Sequence, residues 1–266
     1  MKNKGLIITL IILLSIIVIG LTSFLIMILS GNIDFPRIFN IRINLNSNEN
    51  VILDKNFDIE GIENIKISAE TGDIKFEKSF NDKIRVVAYG DDVEDIELLQ
   101  SEDTIEVKNT KEKGKWLNFL RNKNDIIIYI PNNFSYTINI DAQYGNVEMV
   151  DLENATVQIN SDYGNVKLGD IKNAYIVCDY GNIEIEKILN RCDIEADCGN
   201  VKIQEAQLKE NSNITADLGN IKIENINDIF IDAKTDLGKS RIRKNNNNSP
   251  ITLKIKCDFG NINIED

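Results

Sequence analysis

The residues of this chain best placed to do chemistry together are aspartates that recur at one position of a short frame. Asp162, Asp179, Asp197, Asp217, Asp236 and Asp258 each stand two residues before a glycine. Carboxylates repeated along an edge can gather a calcium ion, which takes several oxygen ligands. Two at the right separation can serve as acid and base in a glycoside hydrolase, or, with bound calcium, in a polysaccharide lyase. The structural reading is that aspartate steadies the turn before a glycine through side-chain-to-backbone hydrogen bonds. Recurrence favours this reading, because a turn rule is copied into every repeat whereas an active site breaks the repeat. The chain also has no histidine, which removes the commonest general base and every Ser/His or Cys/His nucleophile pair. No catalytic, cofactor-binding or metal-ligating residue is assigned, and no cofactor is expected.

The four cysteines support this. Cys178, Cys192, Cys198 and Cys257 form no C-x-x-C pair, and without histidine a zinc site lacks its usual ligands. Each falls on an apolar position of the frame, where cysteine acts as a small hydrophobe. They are read as core residues rather than disulfide partners.

The frame itself is the strongest signal. Gly145, Gly164, Gly181, Gly199, Gly219, Gly238 and Gly260 are separated by 19, 17, 18, 20, 19 and 22 residues, the fixed period of a stacked repeat. Five residues before each glycine stand Ile140, Ile159, Ile176, Ile194, Ile214, Ala233 and Ile255, and three before stand small residues such as Ala142, Ser161 and Cys178. One before are Tyr144, Tyr163, Tyr180, Cys198, Leu218, Leu237 and Phe259. Alternation assigns all of these to one inward face of a strand. After the glycine the apolar phase slips by one, to residues such as Val147, Val166 and Ile183. A Gly-Asn corner could absorb the slip, since both residues tolerate positive φ.

Such a corner fits a two-residue hairpin in an antiparallel meander, or one bend in a β-solenoid whose coils stack about 4.8 Å apart. The solenoid is preferred because each column holds one residue class, and because a third apolar position (Leu152, Ile171, Ile188, Ala206, Ile226) would close the coil. The recurring Asn146, Asn165, Asn182, Asn200, Asn220 and Asn261 then read as an amide ladder. An eighth copy surrounds Gly72, with Asp73 in the asparagine place.

Upstream, Leu6 to Leu29 is an uncharged run of 24 residues behind Lys2 and Lys4, long enough to cross a bilayer as a helix. No small-residue cleavage site follows it, so an uncleaved anchor is expected. Lys2 and Lys4 favour a cytoplasmic N-terminus and an extracytoplasmic repeat domain, although Arg37 and Arg42 compete. The expected organisation is 1–5 cytoplasmic, 6–29 transmembrane, 30–49 linker, 50–131 an irregular β-rich cap, and 132–266 an all-β solenoid of coils of about 19 residues. The formal net charge of −12 argues against a nucleic-acid partner.

Two segments break the pattern. Residues 111–123 place Lys115, Trp116, Phe119 and Arg121 within a basic, apolar stretch, a candidate surface contact for anionic lipid or a wall polymer. The other is Gly238-Lys239-Ser240 with its following loop. The apolar anchor, the Ile65–Phe76 copy, the closing Ile130-Pro131 and the x-Gly-Asn-Ile/Val coils resemble the bacterial "putative adhesin" β-strand-repeat family. That resemblance covers about 50–266 and implies an envelope protein with no catalytic residues to carry over. The expected function is a membrane-anchored, extracytoplasmic, non-enzymatic binding or envelope-structural role, with a cell-envelope polymer or protein as partner. Alternatives are an accessory role in envelope-stress signalling and a carbohydrate-active enzyme.

Overall fold

The computed structural model describes residues 50–90, 96–109, 124–131 and 135–265. The expected membrane helix and linker lie outside them. Among the described residues there are nineteen strands and no helix, hence none long and apolar enough to cross a membrane.

Neighbouring repeats pair in parallel, which rejects the antiparallel meander. Ile140 lies opposite Ile159, Ile159 opposite Ile176, Ile176 opposite Ile194, Ile194 opposite Ile214, and Ile214 opposite Ile255. The sequence columns are therefore physical columns. The strand before each glycine builds a first sheet and the strand after it a second, as where Val166 meets Val147 and Ile183. A third short contact joins Leu152, Ile171, Ile188, Ala206 and Ile226. All three walls turn isoleucine, valine and leucine into one continuous core, where each such side chain contributes about 1.5–3 kcal/mol.

The stack does not follow the chain at its end. Strand Thr252–Phe259 lies between Ser212–Leu218 and Phe230–Leu237, and Ile262–Ile264 lies between Ile221–Ile226 and Ser240–Ile242. The Gly238 repeat is thus the outermost coil. This accounts for its irregular Lys239-Ser240, because a last coil has no neighbour to which it must pass an asparagine. Charged residues on an edge strand also oppose edge-to-edge pairing. Asn245 occupies part of that edge: its Oδ1 accepts from the Ile231 N–H at 2.8 Å, and its Nδ2 donates to the Ile231 carbonyl at 2.9 Å.

At the other end the Gly72 copy stacks directly on the Gly145 coil, with Ala69 opposite Ala142 and Phe76 opposite Met149. Strands Thr104–Asn109 and Asp125–Ile130 extend the stack by one layer. Antiparallel strands Ile96–Gln100, Lys83–Tyr89 and Val51–Asp58 then close it.

The corner works differently from the sequence expectation. Among the described residues none other than glycine has positive φ, so the asparagines contribute no left-handed conformation. Glycine is needed for closeness: a Cβ on Gly181 would sit 1.8 Å from the carbonyl oxygen of Gly164, and one on Gly199 would sit 1.8 Å from that of Gly181. The asparagines hold this contact closed. Asn165 Oδ1 accepts the backbone N–H of Asn182 at 3.0 Å and its Nδ2 at 3.3 Å. The same pair of bonds recurs from Asp73, through Asn146, to Asn220 and Asn261. It ends on the Lys239 backbone N–H, which donates to Asn261 Oδ1 at 3.0 Å. Small residues three before the glycine help, as where Thr235 Oγ1 donates to the Gly260 carbonyl at 3.0 Å.

Gly181→Ala is therefore expected to lose about 3 kcal/mol or more, because the obstructing atoms are backbone and cannot move aside. Urea unfolding monitored by circular dichroism measures the loss, and a cost under about 1 kcal/mol would contradict the close-contact account.

Candidate functional site

The three outward surfaces of the solenoid differ in chemistry. On the second sheet, the column three after the glycine runs Lys75, Glu148, Lys167, Glu184, Lys202 through successive partners. Its signs alternate as far as Lys202, which then lies opposite Lys222. Lys202 lies 3.5 Å from Glu184 and 3.6 Å from Glu224, and Lys222 lies 2.9 Å from Glu224. These exposed charges satisfy one another, and each pair is worth little in stability.

The corner carries an exposed ridge. Tyr144, Tyr163 and Tyr180 were expected in the core but are 41%, 47% and 52% exposed. Alternation stops one residue before the glycine, because the chain must already turn there. Their rings stack face to face, with centroids 5.0 and 4.9 Å apart and planes within 1° and 4°. Stacked rings cover each other's faces and leave edges and hydroxyls to solvent. The phenol of Tyr163 is held above its ordinary pKa by local desolvation, then by Tyr180 and Tyr144 and by the charges of Asp162 and Asp179.

Beside the ridge runs the aspartate column, and here too the sequence expectation is corrected. Among the described residues, none of these carboxylates takes the turn-stabilising backbone hydrogen bond. Asp258 pairs with Lys256 at 2.7 Å and Asp236 with Lys234 at 3.3 Å. The trio of acids whose oxygens lie within 4.8 Å of one another is elsewhere: Asp151, Asp170 and Glu186. Asp151 Oδ1 accepts the Asp170 N–H at 3.2 Å, and Lys78 approaches Asp151 at 3.4 Å. Burial, then the Asp151 charge, pushes the Asp170 carboxyl above its ordinary range.

The outer face of the first sheet carries a groove of about 640 Å³. Two rows line it. Six before the glycine stand Asn139, Gln158, Tyr175, Asp193 and Asn213, and four before stand Asp141, Asn160, Val177, Glu195 and Thr215, each row in register across parallel strands. One part of the groove is fixed by its neighbours. Arg191 donates to Asp193 Oδ2 through Nε at 2.9 Å and Nη2 at 2.7 Å. Asn213 Nδ2 donates to Asp193 Oδ1 at 2.7 Å. The same guanidinium lies over the Tyr175 ring, 5.7 Å from its centroid, a favourable cation–π geometry. Amides at the margin are committed to each other, Asn190 donating to Asn173 at 2.8 Å and Asn173 to Thr156 at 2.9 Å. Among the described residues, the side chains of Asn139, Gln158 and Asn160 have no such partner.

Of the residues singled out from sequence, Lys115, Trp116, Phe119 and Arg121 lie outside the described residues. The repeat glycines stand at the corner. The four cysteines are unpaired, with Cys178, Cys192 and Cys257 buried. Burial pushes the Cys178 and Cys192 thiols up to about 12 and the Cys257 thiol up to about 11. The groove was missed because its rows lie between the apolar columns and change residue type from coil to coil. That change was the available signal, since a position free of the repeat rule is free to serve a ligand.

Parallel coils, a glycine corner and an asparagine ladder define a repeat-built β-solenoid scaffold. Residues 62–265 match the Toastrack DUF4097 family, and the chain belongs to it. Among solved structures it is similar to a "putative cell adhesion protein" of Clostridium sporogenes, at 14% identity over 80% of this chain and 97% of the other, with a TM-score of 0.41. It is also similar to a "putative adhesin" of Bacteroides fragilis (17% identity, 80% and 96% covered, TM-score 0.44). A third is a "putative lipid binding protein" of Parabacteroides distasonis (15% identity, 80% and 96% covered, TM-score 0.40). No curated protein matches the chain.

Two outcomes are expected. At pH 8 a thiol reagent should label the native protein only at the partly exposed Cys198, with the other three reacting after denaturation; native labelling of Cys192 would show that the core opens. Because the folded Asp170 pKa is raised, the native state favours its protonated form, and that stability is lost as pH rises through the folded value. Asp170→Asn should thus stabilise the protein by a few tenths of a kcal/mol at pH 7, and the gain should vanish below the ordinary carboxylate range. Thermal melts at the two pH values check the sign.

Proposed function

We propose that this protein is a single-pass, membrane-anchored, extracytoplasmic binding module with a non-catalytic, adhesin-like or envelope-structural role. The observation that carries the reading is the contrast between outer faces. One sheet is tiled by mutually satisfied charges, whereas the other bears a groove with uncommitted polar side chains around a fixed aromatic ring. A scaffold held in register along its whole length presents such a face with little conformational loss on binding. The apolar run Leu6–Leu29 behind Lys2 and Lys4 supports anchoring and orientation, and the acidic balance suits a soluble domain displayed at a surface.

Fractionation of cells expressing the full chain should place it in the membrane, released by detergent but not by high salt. External protease should reach the repeat domain in intact cells. A soluble chain, or a repeat domain protected until lysis, would overturn this placement.

A further inference from the structure

We propose that the groove on the first sheet binds one extended, uncharged, hydroxyl-rich polymer, a neutral glycan chain, lying across the strands along the solenoid axis. This rests on the reading of the protein as a binding module and names its ligand class.

The functional groups match that chemistry. A sugar hydroxyl both donates and accepts, and amides are the neutral side chains that do both through separate atoms. Gln158 and Asn139 stand side by side in one row, with Asn160 beside Asp141 in the other, and the three amides carry no internal hydrogen bonds among the described residues. Asp141 and Glu195 are exposed acceptors for further hydroxyls. Next to them Tyr175 and the exposed Val177 form an apolar centre, suited to the C–H face of a sugar ring. Tyr175 is held by Arg191, which Asp193 fixes in turn.

Direction and length follow from the fold. Parallel strands repeat each outward position about every 4.8 Å, so the groove presents a similar polar width to each successive unit of a polymer. From strand Asn64–Thr71 to strand Ser212–Leu218 the stack crosses roughly 24 Å at that spacing, enough for several units. Lysines flank the row at both ends, Lys66 opposite Asn139 and Lys254 opposite Asn213.

Two other occupants fit worse. An extended peptide binds a sheet by adding a strand to an open edge, but the groove strands are paired on both sides. A polyanion would meet Asp141, Glu195 and the overall charge of −12.

The test uses the full-length protein in detergent, titrated calorimetrically with cellohexaose, chitohexaose and maltohexaose, and with polygalacturonate as the anionic comparator. At least one neutral glycan should bind, with little dependence on salt, and polygalacturonate should not. Gln158→Ala with Asn160→Ala, and separately Tyr175→Ala, should each weaken binding about tenfold or more, the equivalent of one or two hydrogen bonds. The isosteric pair Gln158→Glu and Asn160→Asp should do the same without changing packing. Lys202→Ala, on the other sheet, should bind as the parent does. Absence of binding to all three glycans at millimolar concentration, stronger binding to the polyanion, or full binding by the folded groove variants would overturn the proposal. Co-sedimentation with isolated cell-envelope material separates the two levels of the reading. Envelope binding that Tyr175→Ala abolishes, without glycan binding, rejects the ligand class alone; loss of both rejects the binding module as well.

Discussion

Backbone contact between successive glycines at the corner is the constraint on which the rest of the structure depends. The Gly181 backbone approaches the Gly164 carbonyl so closely that even a methyl group has no room. Strand pairing alone would tolerate a slipped register, because a ladder of main-chain hydrogen bonds is the same at each step of two residues. The glycine contact and the asparagine beside it remove that freedom. An asparagine can receive two bonds from the coil on one side and give two to the coil on the other only when the coils are level. Register is therefore set again at every coil, and apolar residue meets apolar residue along each core column.

Exact stacking has an outward cost. Any side chain repeated at one position becomes a ladder with its neighbours about 4.8 Å away. The second sheet limits repulsion by alternating lysine and glutamate from Lys75 to Lys202 and by setting Glu224 against both Lys202 and Lys222 where two lysines are opposed, and the tyrosines of the corner gain from the same arrangement by stacking. Among the described residues the aspartate column does neither, and it takes no hydrogen bond from the turn. Among the described residues its ion pairs lie at the far end, Asp258 with Lys256 and Asp236 with Lys234. The column therefore does not hold the turn, opposite to what recurrence in the sequence suggested.

Much of the fold was legible because stacked coils share one environment, so residue class repeats with position. The isoleucine columns, the amide ladder and the eighth copy at Gly72 all follow from that rule. Tyr163 did not, because alternation predicts the side of a strand but not the residue at which the strand stops being one. Nor did the placing of the Gly260 coil between those of Gly219 and Gly238, since all three carry the same apolar columns. Lys239 and Ser240 were the trace of that order: a coil with a neighbour on one side alone is released from the frame. The groove was illegible for the opposite reason, as variable residues between fixed columns look like ordinary surface until register aligns them.

Sheet width decides which face can hold a ligand. Strands after the glycine are as short as three residues, as in Val147–Met149 and Ile262–Ile264, so each of those coils shows one outward side chain. Where such strands reach six residues, as in Ile221–Ile226, the second outward side chain is spent on its neighbour, Glu224 pairing with Lys222. Strands before the glycine run to seven or eight residues, as in Thr137–Tyr144 and Ser212–Leu218, and show outward positions six, four and two before the corner. Rows side by side make a surface with a floor and margins. The margins are occupied, by the Asn173–Asn190 amides on one side and the aspartate column on the other, while the floor keeps Asn139, Gln158 and Asn160 uncommitted beside a Tyr175 ring held by Arg191. Unequal strand lengths, which follow from where the glycine falls within each repeat, thus divide the solenoid into a narrow face whose charges are paired and a broader face that keeps uncommitted amides.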